Sequence, residues 1–291
     1  MQRWATAKIN LFLRVLDRRP DGYHNIETVY QSVGLADRLT FVADPERVAL
    51  TCSDPALPVD ERNLAVRAAR LMQETLPERV KGIRIALDKR IPVGGGLGGG
   101  SADAAATLNA CNDLYGLGLA ADELRLLGSQ LGMDVPFLIE GGRAVGTARG
   151  EQIAPLAMRE NEEGWAVIVA PALSISTRWA YEALDTVAPE KERPLQAFRD
   201  LLTGTAIETW ARACWNSFER VVFRAYPELQ AIRDRLRALG CAGALLTGSG
   251  AGVVGLTGDR VVAERAAREM GNRFPFAAAA PFLTAQAAAR L

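Results

Sequence analysis

The chain has 291 residues, 49% apolar and 23% charged, the composition of a globular protein long enough for two cores. Acidic and basic residues balance at 34 each, which excludes the excess positive charge of a bulk nucleic-acid binder, and no apolar run reaches membrane-spanning length. Four scattered cysteines (Cys52, Cys111, Cys214, Cys241) and a single histidine, His24, leave no basis for a zinc cluster.

Residues 6–15 and 26–33 alternate apolar and polar side chains as strands do, and Pro20-Asp21-Gly22 supplies the turn between them. Further strands are predicted at 39–43 and 48–52, around the Asp44-Pro45 break. A helix over 63–76 would bury Leu64, Ala68, Leu71 and Thr75. Strand 83–87 leads into the glycine-rich run, and an alanine-rich helix over 101–116 follows, closed by Gly116. A helix over 122–131 stops at Gly132, and a strand at 142–148 ends this half.

After a polar stretch near 157–164 the pattern restarts with a buried strand at 165–170. Helices are predicted at 177–185, 206–224 and 227–239, then two strands around a Gly-rich tip within 242–257. A helix at 259–271 and a strand near 277–283 complete the chain. The pattern predicts an α+β protein of two domains, 1–157 and 158–291.

The run from Pro92 to Ala106, PVGGGLGGGSADAAA, concentrates glycine between a strand and a helix. Glycine loses the most backbone entropy on folding, so such a loop calls for a reason. Converging peptide N–H groups and the positive end of the following helix make an anion site, and missing Cβ atoms let phosphate oxygens approach. Gly94–Gly99 also satisfies Gly-x-Gly-x-x-Gly, the signature of dinucleotide-binding oxidoreductases. The preceding strand alternates, however, and no acidic ribose ligand follows about twenty residues on. A Walker A loop would need Gly-Lys-Ser/Thr, whereas Gly100 is followed directly by Ser101.

Only four lysines (Lys8, Lys81, Lys89, Lys191) stand among 34 basic residues, which singles out positions where a compact ammonium is required. Asp134, ahead of Val135-Pro136, fits a helix N-cap, and Lys8 fits an edge-strand charge.

The loop resembles the phosphate loop of the GHMP kinases. The segments AKINLFL (7–13), DGYH (21–24) and LGMDVPFL (131–138) are similar to motifs of one family within them, the 4-diphosphocytidyl-2-C-methyl-D-erythritol kinases. NLAVRAARL (63–71) and LLTGSG (245–250) extend the resemblance nearly end to end. It implies a two-domain GHMP kinase fold, with an N-terminal ribosomal-protein-S5-like ATP-binding domain and a C-terminal ferredoxin-like α+β domain. It also implies ATP as co-substrate, held by Pro92, Val93, Gly94, Gly95, Gly96, Leu97, Gly98, Gly99, Gly100, Ser101 and Ala102, with Asn63 and Lys89 on the adenosine side. Asp134 takes the place of the carboxylate that receives the acceptor's proton, and Lys8 that of its cationic partner.

On the acceptor side the resemblance implies Asn10 as an orienting residue and Tyr23, His24, Thr177 and Tyr181 around a cytidine. From the residues alone, Tyr23 and His24 could equally decorate a turn and Tyr181 pack a helix. The tip Gly248, Ser249, Gly250 is either a hairpin requiring positive dihedrals or a set of donors to a substrate diphosphate. Two departures from the family pattern stand out: Ala102 follows Ser101 where a second serine is common, and Gly95 replaces a frequent alanine. Mg²⁺ is expected to arrive on ATP, with Ser101 as its candidate protein oxygen. The expected partners are small molecules, with no nucleic acid or membrane, for a cytoplasmic monomer or weak homodimer.

Overall fold

The computed structural model describes residues 1–159, 162–188 and 193–290; residues 160–161 of the expected 157–164 connection lie outside the described residues. Strands β1 (Gln2–Arg18) and β2 (His24–Ala43) form one long antiparallel hairpin. The two strands predicted at 26–33 and 39–43 are a single strand, because Ala36, Asp37 and Arg38 stay paired with Thr6, Ala5 and Trp4. β3 (Val48–Cys52) runs parallel to β4 (Ile83–Asp88). β2 is long enough to hold two neighbours in succession on one edge. Residues 38–43 pair with β4, and residues 28–31 pair with β5 (Arg143–Thr147), beyond which lies β6 (Gln152–Pro155).

Helices α1 (Leu64–Thr75) and α2 (Gly99–Leu114) pack together, with α2 also against β1. α1 buries Ala65, Val66, Ala68, Ala69 and Met72, so its inner face is turned from the one predicted and Thr75 is exposed. The small side chains of Ala65, Ala68 and Ala69 suit this face to close helix packing. α2 buries Ala102, Ala104, Ala105 and Ala106. α3 (Ala121–Ser129) and the single turn α4 (Val135–Leu138) lead back to the sheet.

The second half begins with β7 (Trp165–Ala170), α5 (Thr177–Asp185) and α6 (Leu195–Gly204), the last not predicted. The helix expected over 206–224 is broken into α7 (Ile207–Trp210), a 3-10 turn, the two-residue strand β8 (Trp215–Asn216) and α8 (Glu219–Ala225). The helical path stops after Ala213, because Trp215 and Asn216 pair in parallel with Phe12 and Leu13 of β1. α9 (Pro227–Ala238), β9 (Gly243–Leu246), β10 (Val253–Thr257), α10 (Arg260–Gly271), β11 (Phe276–Pro281) and α11 (Ala285–Arg290) follow. The second sheet has the order β11-β7-β10-β9, all antiparallel. Numbered along the chain its strands lie 4-1-3-2, the ferredoxin-like arrangement.

Asn216 ties the sheets together. It is fully buried, its amide donates to the Leu246 and Gly248 carbonyls at 2.8 Å each, and its oxygen accepts from Phe218 N–H at 2.9 Å. Asn216→Ala strands three buried backbone groups, so a loss of about 2–4 kcal/mol is expected from the urea unfolding midpoint. An unchanged midpoint would contradict this role.

Candidate active site

Lys8 and Asn10 sit on β1 between two register irregularities, at Thr6/Lys8 and at Asn10/Phe12. Bulges of this kind re-aim side chains out of the regular alternation. The Lys8 N–H donates to the Leu97 carbonyl at 3.0 Å, and Leu97 is buried, so the one large side chain of the glycine loop is its anchor to the core. The Lys8 ammonium, only 4% exposed, donates to Asn10 Oδ1 at 2.8 Å and lies 3.3 Å from Asp134 Oδ2. Asn10 in turn donates to Thr28 Oγ1 at 2.8 Å, and Thr28 donates to the Phe12 carbonyl.

Asp134 stands at the start of α4, but its side chain makes no capping hydrogen bond. Its carboxylate is turned to Lys8 and is 29% exposed on the wall of a cavity of about 700 Å³. Tyr30, opposite Asn10 on β2, lies with its ring 5.6 Å below the Lys8 ammonium. Burial, and then the nearby Asp134 carboxylate, push the Tyr30 phenol well above its ordinary range.

The glycine loop separates this cavity from a smaller one of about 210 Å³, and Gly96 and Gly98 border both. Pro92, Val93, Gly94, Gly95, Leu97, Gly99 and Gly100 line the smaller space with Asn63 and Lys89, while Ser101 faces the larger. α2 begins at Gly99, two residues before the predicted start. The first N–H bonded along the helix is that of Ala102, to the Gly98 carbonyl, which leaves the amides of the first turn for an incoming anion. Gly98 has φ 72°, and a Cβ there would press on the Lys8 stem at 3.0 Å. Ala102 is buried and borders neither of these two cavities, so a second serine there would point into the protein.

The tip between β9 and β10 docks on the glycine loop. Ala251 N–H donates to the Gly94 carbonyl at 3.1 Å, and Thr247 Oγ1 approaches the Gly96 carbonyl at 3.4 Å. Gly96 has φ 68°, and a Cβ on it would collide with the Thr247 carbonyl oxygen. The tip's amides are largely committed: Gly248 N–H donates to Asn10 Oδ1 and Gly250 N–H to the Thr247 carbonyl. Gly248 and Ser249 reach the large cavity and Gly250 does not. Ser249 Oγ and Thr177 Oγ1 are hydrogen-bonded at 2.9 Å, joining the tip to the start of α5.

At the far end of the large cavity lie Tyr23, His24 and Tyr181. His24 stacks on Tyr181 with centroids 4.9 Å apart, and its Nε2 is 2.7 Å from Asp185 Oδ1. Tyr181 also meets the edge of Phe218, and burial, reinforced by Asp134, pushes its phenol up to about 12. Tyr23 is 56% exposed, with the Arg149 guanidinium 5.4 Å from its ring centre. One face of Tyr181 is therefore occupied by His24, and the exposed ring of this group belongs to Tyr23.

Asn63 and Lys89 are both engaged within the protein. Asn63 Oδ1 caps α1 through Ala65 N–H, and its amide donates to the Pro58 carbonyl. Lys89 Nζ contacts Asp37 Oδ2 at 2.5 Å and Asp103 Oδ2 at 2.8 Å. Burial opposes the Lys89 ammonium, but Asp103 and Asp37 outweigh it and hold its pKa above the ordinary value. Burial pushes the Asp103 carboxyl up to about 7, with Lys89 opposing and Asp37 adding. Among the described residues no group of three or more His, Cys, Asp or Glu is placed to hold a metal ion, and no helix is long and apolar enough to cross a membrane.

Sequence reasoning missed Thr28, Tyr30, Asn216 and Thr247. Thr28 and Tyr30 had a signal, being two apart on the strand that faces Lys8 and Asn10. Thr247 lies within the LLTGSG segment that carries the resemblance, whereas Asn216 had no signal, since it acts through long-range contacts.

Family models match twice along the chain: GHMP kinases N terminal domain at residues 63–142 and GHMP kinases C terminal at 197–275. A Moorella thermoacetica protein named 4-diphosphocytidyl-2-C-methyl-D-erythritol kinase is 42% identical, covering 93% of this chain and 95% of its own. One of the same name from Acaryochloris marina is 39% identical, covering 93% and 91%. A crystal structure titled 4-(cytidine 5'-diphospho)-2C-methyl-D-erythritol kinase superposes with TM-score 0.81 at 38% identity, over 97% of this chain and 99% of its own. The mevalonate kinase of L. major, at 17% identity and TM-score 0.74 over 98% and 96%, shares the fold. A glycine loop bound to the Lys8 peptide N–H, a docked second glycine tip and near-complete coverage by these relatives agree, and the chain belongs to the 4-diphosphocytidyl-2-C-methyl-D-erythritol kinase family of the GHMP kinases.

Proposed function

We propose that this chain transfers the γ-phosphoryl group of ATP to the 2-hydroxyl of 4-diphosphocytidyl-2-C-methyl-D-erythritol, giving the 2-phosphate and ADP, in the non-mevalonate route to isoprenoid precursors. The observation that carries this reading is the Lys8–Asp134 pair, 3.3 Å apart beside the loop that divides the two cavities. Adenosine occupies the smaller cavity, and the phosphates cross the loop at Gly96 and Gly98 toward the larger one. The amides at the start of α2 meet the phosphate charge without a Cβ in the way.

Asp134 accepts the proton of the 2-hydroxyl as its oxygen attacks phosphorus, and the bond from phosphorus to the β–γ bridging oxygen breaks to release ADP. The transition state of such a transfer is loose, so positioning and charge neutralisation dominate. Lys8 supplies a desolvated ammonium between carboxylate and phosphoryl group, and Asn10 keeps it there. The cation that accompanies ATP would be held mainly by the phosphates and by Ser101 Oγ, neutralising their charge. The cytosine is recognised at the Tyr23, His24 and Tyr181 end, with Tyr23 presenting the exposed ring, opposite the face that Arg149 covers. The unpaired thiols of Cys52, Cys111, Cys214 and Cys241 support a reducing, cytoplasmic setting.

An ADP-release assay tests the whole reading: the cytidine substrate should support turnover, and mevalonate, homoserine and galactose should not. Equal turnover with any of those three would refute it. Asp134→Asn should lower kcat by about 100-fold or more while the KM for ATP stays within a few-fold; near-wild-type kcat would remove the carboxylate from the chemistry. Lys8→Arg should lose a comparable factor, because a forked guanidinium does not fit a buried ammonium site. Full activity in that variant would mean that any cation serves. Tyr23→Ala should raise the KM for the cytidine substrate by about 10-fold or more and leave that for ATP unchanged, from the worth of base–aromatic stacking. Equal losses for both substrates would move the base elsewhere.

A further inference from the structure

Three ionisable side chains to which the reaction above gives no role meet beneath the glycine loop, and two of them, Lys89 and Asp103, also border the smaller cavity. Asp37 comes from β2, Lys89 from the end of β4 and Asp103 from α2, and their side chains are 0%, 7% and 3% exposed. Asp37 Oδ1 accepts the N–H groups of Arg90 and Ile91, at 2.6 and 2.8 Å, immediately before the loop begins at Pro92. Its other oxygen holds Lys89, which holds Asp103 just after the loop ends. Each arm of the loop is thus tied to the same ammonium. A Cβ on Gly99 would lie 3.0 Å from Lys89 Nζ, so the ammonium rests against the loop backbone. Asp103 Oδ1 is buried with no hydrogen-bond partner.

A buried ion cluster is a poor way to gain stability, since apolar side chains of similar volume often serve as well or better. What charges provide here is direction: a fixed geometry between two chain segments that apolar contacts would leave free to slide. We propose that Asp37, Lys89 and Asp103 form a positioning triad that sets the spacing of the two arms of the phosphate loop. Although Lys89 borders the smaller cavity, its ammonium is committed to Asp37 and Asp103, so it serves ATP through the loop backbone and makes no polar contact with the nucleoside. The inference rests on the loop being the ATP site.

The test compares adenosine, ADP and ATP on the full chain carrying Lys89→Met, Asp103→Asn, or both. Asp103→Asn is the milder change and remains informative should Lys89→Met fail to fold. Each single variant is expected to raise the ADP inhibition constant and the ATP KM by about tenfold, while the adenosine constant moves less than about twofold. The double variant should lose no more than the worse single, because the side chains act as one unit. Equal weakening of adenosine and ADP would mean that Lys89 touches the nucleoside. A fall in kcat with an unchanged ADP constant would reduce the triad to a structural role, and additive losses would break it into independent parts. Those results overturn the triad while wild-type ATP turnover keeps the kinase reading; a wild type that binds no ADP overturns both.

Discussion

One ammonium, taken out of water, organises the site. Lys8 can be buried only because Asn10 and Asp134 satisfy it, and those partners are brought together by three separate constraints. Register irregularities in β1 turn Lys8 and Asn10 toward the cavity. The short helix α4 places Asp134 without using its carboxylate as a cap. The glycine loop binds the Lys8 peptide N–H through the Leu97 carbonyl, so the residue that carries the buried ammonium also holds the loop. Moving any of these elements by an ångström would leave a buried charge unpaired, which costs far more than a typical surface contact.

The glycines belong to the same economy of space. Gly96 and Gly98 take up positive φ and also leave room, one for the Thr247 carbonyl and the other for the Lys8 stem. A larger residue at either place would separate the glycine loop from the second glycine tip or push the Lys8 ammonium aside. Asn216 completes the arrangement from the other side by holding the Leu246 and Gly248 carbonyls. The cleft between the two sheets is thus maintained mostly by backbone groups meeting polar side chains, a geometry that rigidly fixes distances. Phosphoryl transfer depends on such fixed distances more than on a strong base.

Much of this was legible along the chain because local chemistry dictated it. The glycine run between a strand and an alanine helix pointed to a loop with free amides, and the scarcity of lysine drew attention to Lys8 and Lys89. The β3, β7 and α5 segments emerged where periodicity and breakers predicted them. What stayed hidden depends on tertiary partners. The break of the predicted 206–224 helix is imposed by pairing of Trp215 and Asn216 with β1, which no local propensity encodes. Likewise the commitment of the Gly248 amide to Asn10, across 238 residues, turns what looked like a free donor into part of the frame. Asn63 and Lys89 show the same effect, since their polar atoms are engaged by Ala65, Pro58, Asp37 and Asp103.

On the proposed reaction, Lys8 and Asp134 meet the acceptor alcohol and the moving phosphoryl group at one point. A crystal structure of the ternary complex with a non-hydrolysable ATP analogue and the cytidine substrate measures this most directly. The 2-hydroxyl oxygen is expected within about 3.2 Å of an Asp134 carboxylate oxygen, or one water away, with Lys8 Nζ beside the γ-phosphate. An acceptor hydroxyl bound in the large cavity but well beyond that reach of Asp134, or a γ-phosphate on the side of the loop away from Lys8, would contradict it.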